Sequence, residues 1–211
     1  MNNKFENVLG EENFELKECL EGKVLVASPH LEDPYFEKSL VYICAHDAGG
    51  VIGIILNHPI GQLSAEELFQ GYSKSEGREQ RVVSSMAKKS YPILFGGPTN
   101  GDILVALSIT KEQEKVFADK SKVNLHIDAS AFVRDIAKDK LKVSKCLFAK
   151  GISAWDTSQL EQELLEDNWF VIEPTVDLIF SQKQKDKWEE IVHKKLGITD
   201  LSCFVCYSGH A

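Results

Sequence analysis

The length of its apolar runs narrows the fold of this chain more than any other feature. "KVLVAS" (23–28), "LVYICA" (40–45) and "VIGIILN" (51–57) are rich in β-branched residues, too short for helices and separated by turn residues, so they are predicted to be strands. "YPILF" (91–95) and "DILVALS" (102–108) continue the series, joined by "GGPTNG". Asn100 and Gly101 readily take positive φ there, which predicts a hairpin. The same connection fails as a phosphate cradle, because Pro98 has no N–H, no lysine follows and the next element is a strand. Further strands are expected at "VNLHI" (123–127), "KCLFA" (145–149) and "WFVI" (169–172), with "VDLIF" (176–180) a further apolar run. Helices are fewer. Ser64 and Glu67 form a capping box that opens "SAEELFQ", and Asp128 caps "ASAFVRDIAK". Two more helices are expected at 157–168 and at "KDKWEEIVHKKL" (185–196), the latter stopped by Gly197. Strands grouped early and mixed with few helices predict an α+β fold with a largely antiparallel sheet.

No composition shift marks a boundary inside the 211 residues, and one sizeable domain accounts for them. Hydrophobic residues at 43% and charged residues at 27% describe an ordinary folded protein. The apolar runs fall far below the roughly 20 residues of a membrane span, so no membrane association is expected. The N-terminus lacks the apolar segment of a secretory signal and carries several glutamates, which makes the cytoplasm the expected location. A net charge of −8 has the wrong sign for neutralising phosphates. The basic segment at 74–89, with Lys74, Arg78, Arg81, Lys88 and Lys89 against Glu76 and Glu79, has no interleaved aromatics to stack bases and reads as a solvated loop. The five cysteines are odd in number and scattered, which predicts free thiols.

Three chemical motifs invite testing. "GISAW" (151–155), with Asp177 and His193 downstream, follows the order of a nucleophile elbow and its partners, but Trp155 stands where the elbow needs glycine and no parallel βαβ framework precedes it. A strand-to-helix connector is the expectation there. "CFVC" (203–206) has the C-x-x-C spacing of a zinc ligand pair, yet no second pair exists and an extended strand sends the two sulfurs to opposite faces. No metal and no cofactor is expected. None of the six histidines falls in a metal-binding helix pattern; His30 and His58 stand out because each adjoins a turn at a strand end, in "SPHLEDP" and "LNHPIG".

The stretch 157–168 is dense in acid. On a helical wheel Leu160, Leu164 and Leu165 define an apolar arc that also contains Asn168 and Glu161, whereas Gln162, Glu163, Glu166 and Asp167 lie opposite and are expected in water. Glu161 is then a core-facing carboxylate that requires a partner. Trp155 and Trp169 flank the helix as its expected anchors.

These pieces together resemble the AlgH/YqgE family of bacterial proteins from about residue 22 onward, leaving 1–21 as an N-terminal arm before a single domain at 22–211. The likeness rests on "GKVLVASPHLEDPYFEKSLVYICAHDAGGVIGIILNHPI", "PILFGGPTNGDILV", "GISAWDTSQLEQELLEDNWF", "LIF", "KWEEIVHKKLGI" and the terminal "GHA", in that order. The family pattern places Asp33-Pro34, Phe36 and Ser39 in the first turn, and Gly53 and Asn57-His58-Pro59 around the third strand. It places Gly96-Gly97-Pro98 in the hairpin, and Trp155, Gln159-Leu160-Glu161, Glu163 and Trp169 in the acidic stretch. This chain has His58 where the family usually has arginine, lacks the usual histidine at the end of the strand that follows Gly-Gly-Pro, and adds "CFVC". The resemblance implies an α+β domain on a folded, bifurcated, mostly antiparallel sheet with a few packed helices. It implies no established reaction. The AlgH name implies transcriptional control of alginate synthesis, while the acidic charge and the missing DNA-reading helix argue against direct operator binding.

The leading expectation is a binding or regulatory module for a protein or small-molecule partner. Its candidate surface comprises Asp33, Phe36, Asn57, His58, Gly96, Gly97, Trp155 and Glu161. The alternative is a hydrolase or transferase that uses His30 or His58 with Asp33 or Glu161, which would have to converge within hydrogen-bond reach.

Overall fold

A computed structural model describes residues 19–64, 67, 90–117, 123–137, 140–181 and 186–195. Among the described residues nine strands form one mixed sheet: β1 (Val24–Ala27), β2 (Leu40–Asp47), β3 (Gly50–Ile55), β4 (Pro59–Ser64), β5 (Ser90–Phe95), β6 (Thr99–Ile109), β7 (Asn124–His126), β8 (Lys145–Trp155) and β9 (Trp169–Ile172). The helices among the described residues are α1 (Lys111–Lys115), α2 (Ala129–Ala137), α3 (Thr157–Leu165), α4 (Val176–Phe180) and α5 (Lys187–Lys195). The fold is α+β, and every strand pairing is antiparallel except that of β5 with β8.

The unbroken apolar runs of the first strands have a simple cause. Val24, Val26, Leu40 and Tyr42 enter a core on one face of the sheet, closed by Ile179 of α4 and by Trp188, Ile191 and Val192 of α5. Leu25, Ala27, Val41 and Ile43 enter a second core on the other face with Trp155, Leu160 and Trp169. Both faces are covered, so side chains that alternate between faces are all apolar. The Trp188 indole donates to the Ala27 carbonyl at 2.7 Å and ties α5 to β1. A third cluster, around Phe132 and Phe148, packs α2 against β6 and β8.

Strand β8 organises the sheet. Its first half pairs with β6, from Ile109 opposite Lys145 to Leu104 opposite Lys150, and in parallel with β5 through Ile93–Phe95. Its second half pairs with β3, Gly53 opposite Ser153 and Val51 opposite Trp155. The sheet therefore divides at Gly151, where φ is 75°.

This arrangement corrects two expectations. "YPILF" and "DILVALS" do not form a hairpin, because β8 lies between them as a partner of both. The Gly-Gly-Pro segment instead crosses the β8 backbone: a Cβ on Gly96 would stand 2.2 Å from the Gly151 carbonyl oxygen, and one on Gly97 2.4 Å from the Ile152 carbonyl carbon. Asn100 does take a positive φ of 51°. "GISAW" is the second half of β8 and not a connector, since the strand runs through Trp155 before α3 begins at Thr157.

Other expectations fare variously. The Asp128 carboxylate accepts from the Ala131 amide at 2.9 Å and opens α2. Ser64 and Glu67 make the reciprocal bonds of a capping box, at 3.2 Å from the Glu67 amide and 2.8 Å from the Ser64 amide. The rest of that helix, the basic segment 74–89, Gly197 and "CFVC" lie outside the described residues. "PIGQLS" is a strand with no apolar alternation to announce it, and "VDLIF" is a helix capped by Thr175, whose hydroxyl accepts from the Leu178 amide at 3.1 Å. Leu20, near the end of the expected N-terminal arm, is buried in the second core.

Candidate functional site

Residues 28–39 form a turn-rich segment leading into β2, and Asp33 shapes it from within. Its Oδ1 accepts from the amides of Tyr35 at 2.8 Å and Phe36 at 2.9 Å, a side-chain-made turn of the kind Asp favours. That turn delivers Phe36 to the two flanking tryptophans. Its ring lies 5.2 Å from Trp155 in a tilted contact and 5.7 Å from Trp169 edge-on, while the two indoles meet edge-to-face at 6.0 Å.

Below this cluster sits one carboxylate. Glu163 Oε2 accepts from the Trp155 indole at 3.1 Å and the Trp169 indole at 2.8 Å, and its Oε1 accepts from the Gln159 amide at 2.9 Å. The wheel had placed Glu163 in water and Glu161 against the core. Its error at Glu163 is traceable to Leu165, which is 54% exposed and not part of the buried arc. Leu160 is fully buried and Leu164 packs beside it, so the true arc centres between them, with Glu161 and Glu163 at its two edges. Glu161 is half-buried. The anchoring role expected of Trp155 and Trp169 is what the structure shows, and two indole N–H groups in need of an acceptor are the signal that could have found Glu163.

Asn57 is buried and joins the first turn to the third strand. Its Oδ1 accepts from the Leu40 amide and its Nδ2 donates to the Lys38 carbonyl, each at 2.8 Å. Lys38 holds φ at 53°, a strained value for a residue with a Cβ. His58 follows; burial lowers its pKa below the ordinary 6.5, with the Glu37 carbonyl and carboxylate pulling in the other direction. The His58 carbonyl accepts from the Phe95 amide at 2.8 Å. Gly96 comes next, its carbonyl accepting from the Ile55 amide at 3.1 Å and from the Ser153 hydroxyl at 3.0 Å. Ser153 is thus buried and bonded to backbone, which disposes of it as a nucleophile.

The first turn, Asn57-His58, Gly96 and the Trp155 region are therefore contiguous. Their roles differ. Gly96 and Gly97 are buried in the crossing and Asn57 in its clamp, so these shape the surface and do not present it. Exposed groups nearby include Tyr35, 50% exposed and stacked on Phe95 at 6.0 Å, and Ile60, 54% exposed just after Pro59; both escaped the sequence reading, because a single exposed apolar side chain carries no pattern of its own. His30 pairs with the Ser28 hydroxyl at 2.7 Å. A cleft of about 410 Å³ opens on the far side of Trp155, lined by Asp47, Gly50, Ala154 and Gln159 among others; apart from Trp155, none of the candidate residues reaches it. Among the described residues no group of three or more His, Cys, Asp or Glu is placed to hold a metal ion, and no helix is long and apolar enough to cross a membrane.

Comparison with known proteins agrees with this architecture. The AlgH-like family model matches residues 24–199. A UPF0301 protein of Shewanella sp. (strain W3-18-1) is 31% identical over 194 residues, covering 92% of this chain and 100% of its relative. The UPF0301 protein YqgE of Salmonella paratyphi A is 31% identical over 195 residues, covering 91% of this chain and 99% of its own. Among solved structures, the AlgH protein of Pseudomonas aeruginosa superposes with a TM-score of 0.58 at 21% identity, covering 92% of this chain and 97% of that one. A Corynebacterium diphtheriae protein does so with a TM-score of 0.62 at 20% identity, covering 89% and 92%. This chain belongs to the AlgH/YqgE family.

Proposed function

We propose that this protein is a binding or regulatory module whose contact surface lies over the first turn, with Tyr35 as its outermost group. Asp33, Phe36, Asn57, His58, Gly96, Gly97, Trp155 and Glu161 act as scaffold or lining of that surface. The observation that carries the reading is the Tyr35–Phe95 stack: a half-exposed aromatic stacked on Phe95, whose strand pairs with that of exposed Pro59 and Ile60, is an amphipathic platform of the kind that binding surfaces favour. The alternative of acid–base chemistry is weakened because Asp33 is engaged by two backbone amides and His30 by Ser28. Any influence on transcription passes through a protein or small ligand, since a net charge of −8 repels duplex DNA; measurable affinity for duplex at low salt would contradict this.

A photo-cross-linking residue placed at Tyr35, and as a control at Val171 on the exposed side of β9, tests the surface in cells. A product specific to the Tyr35 position that disappears with Ile60→Ser, at unchanged melting temperature, is the expected result. Equal products from both positions, or none from Tyr35, would refute it.

A further inference from the structure

We propose that the first turn is a displaceable strap and that its Phe36 plugs a slot between Trp155 and Trp169 that accepts an aromatic side chain of a peptide partner. The inference rests on the binding reading above and deepens it.

Four features carry it. First, among the described residues every hydrogen bond made by residues 29–36 closes within 28–39: Leu31 to Ser28, Tyr35 and Phe36 to Asp33, Glu37 to Asp33, Ser39 to Phe36, and His30 to Ser28. The segment is a self-contained unit whose grip on the body is through side chains. Second, its backbone is fastened at the ends, where the Ser28 amide donates to the Asn168 carbonyl and Asn57 holds Lys38 and Leu40. Lys38, at φ 53°, marks the hinge beside that second fastening. Third, Phe36 meets two rigid indoles, one tilted and one edge-on, both fixed from below by Glu163. A slot so held keeps its shape without its plug, and the plug itself shows which chemistry fits.

The fourth feature is Ser39. It is fully buried, and among the described residues its Oγ has no hydrogen-bond partner. Buried polar atoms are nearly always satisfied, so an orphan hydroxyl calls for an account. Two residues before Val41 in an extended run, it belongs to the same sheet face as the Trp155–Trp169 core. The strap supplies the slot with a ring and no polar group for Ser39. A peptide supplies both, its ring replacing Phe36 and its backbone amide reaching the hydroxyl.

Acetyl-phenylalanine amide is the probe, followed by the indole N–H resonances of Trp155 and Trp169 in the full chain. In the unaltered protein these two indoles should exchange with solvent through one shared opening, ahead of the Trp188 indole, which stays bonded to Ala27. Phe36→Ala should bind the probe at least about tenfold more tightly than the wild type, and the ratio of dissociation constants should equal the inverse of the opening constant measured by exchange. Acetyl-leucine amide should bind more weakly than the aromatic probe, and Ser39→Ala should weaken the aromatic probe while leaving the opening constant unchanged. Equal dissociation constants for wild type and Phe36→Ala, no saturable shift in that variant, or indoles that exchange only together with Trp188 would each overturn the strap. Should Phe36→Ala not fold, Phe36→Leu removes the ring and keeps apolar bulk, and the exchange experiment on the unaltered protein decides by itself. Loss of Tyr35-specific cross-linking with the exchange and probe results intact would overturn the binding surface alone; the opposite pattern would overturn the strap alone.

Discussion

Two stretches rich in turn residues meet at the candidate surface, and they are built on opposite principles. In the crossing of Gly96 and Gly97 over β8, backbone touches backbone, and there is no side chain whose trimming could relax the contact. In the strap around Asp33 and Phe36 the backbone is satisfied internally and the grip is ring against ring. The first arrangement has no alternative state, because any shift breaks sheet pairing on both sides of Gly151. The second can open, since what it loses on lifting is side-chain contact that another ring can replace. Turn-forming residues, Gly-Gly-Pro in one stretch and Asp-Pro in the other, therefore mark a fixed point in one place and a movable part in the other.

The contrast breaks first, and hardest, at the crossing. Gly97→Ala puts a Cβ 2.4 Å from the Ile152 backbone at a φ of 146°, so a loss of about 4 kcal/mol or failure to fold is expected in chemical denaturation. A stable Gly97→Ala protein with unchanged strap exchange would show that the crossing is not the rigid member of the pair. The tryptophan support comes next. Glu163→Leu strands two indole donors and should cost about 2–4 kcal/mol, whereas Glu163→Gln keeps an acceptor and should cost less than about 1.5 kcal/mol; equal costs would mean that the carboxylate does not organise the slot.

The smallest effect lies at His58, which links the two regions through Glu37 on one side and Phe95 on the other. Its folded pKa lies below the ordinary 6.5, so the unfolded chain binds more protons as the pH falls past that value. The contribution of His58 should be constant above about pH 6.5, and stability should decline as the pH drops toward its folded pKa. His126, lowered by burial as well, contributes in the same window. His58→Gln should therefore flatten the decline in part, as read from urea midpoints at pH 7 and pH 5. An unchanged slope would remove His58 from the junction.

Much of this architecture was legible residue by residue. Val24–Ala27, Leu40–Asp47 and Gly50–Ile55 announce strands through β-branched runs too short for helices, and Asp128 and Ser64–Glu67 announce caps, because a cap is a contact across three residues. The candidate turns were legible as turns, and Trp155 and Trp169 as anchors. Tyr35 and Ile60 were not, since exposure on a folded surface depends on what fails to cover a side chain.

What the sequence by itself determined is thus local: backbone preference, capping, and the apolar content that obliges both faces of the sheet to be covered. Only the tertiary structure decided which strands share β8 and which carboxylate receives the indoles. Strand pairing joins residues far apart in the chain, and nothing within "GGPTNG" distinguishes a hairpin from a crossing until Gly151 is brought beneath it. The helical wheel fails at Glu163 for a related reason. It treats every leucine as buried, whereas Leu165 stands at the last turn of α3, where Asp167 takes a positive φ of 56° and the chain turns back into β9. That reversal leaves Leu165 to solvent, and without that leucine Glu163 lies at the edge of the apolar arc, where its carboxylate meets the two indoles.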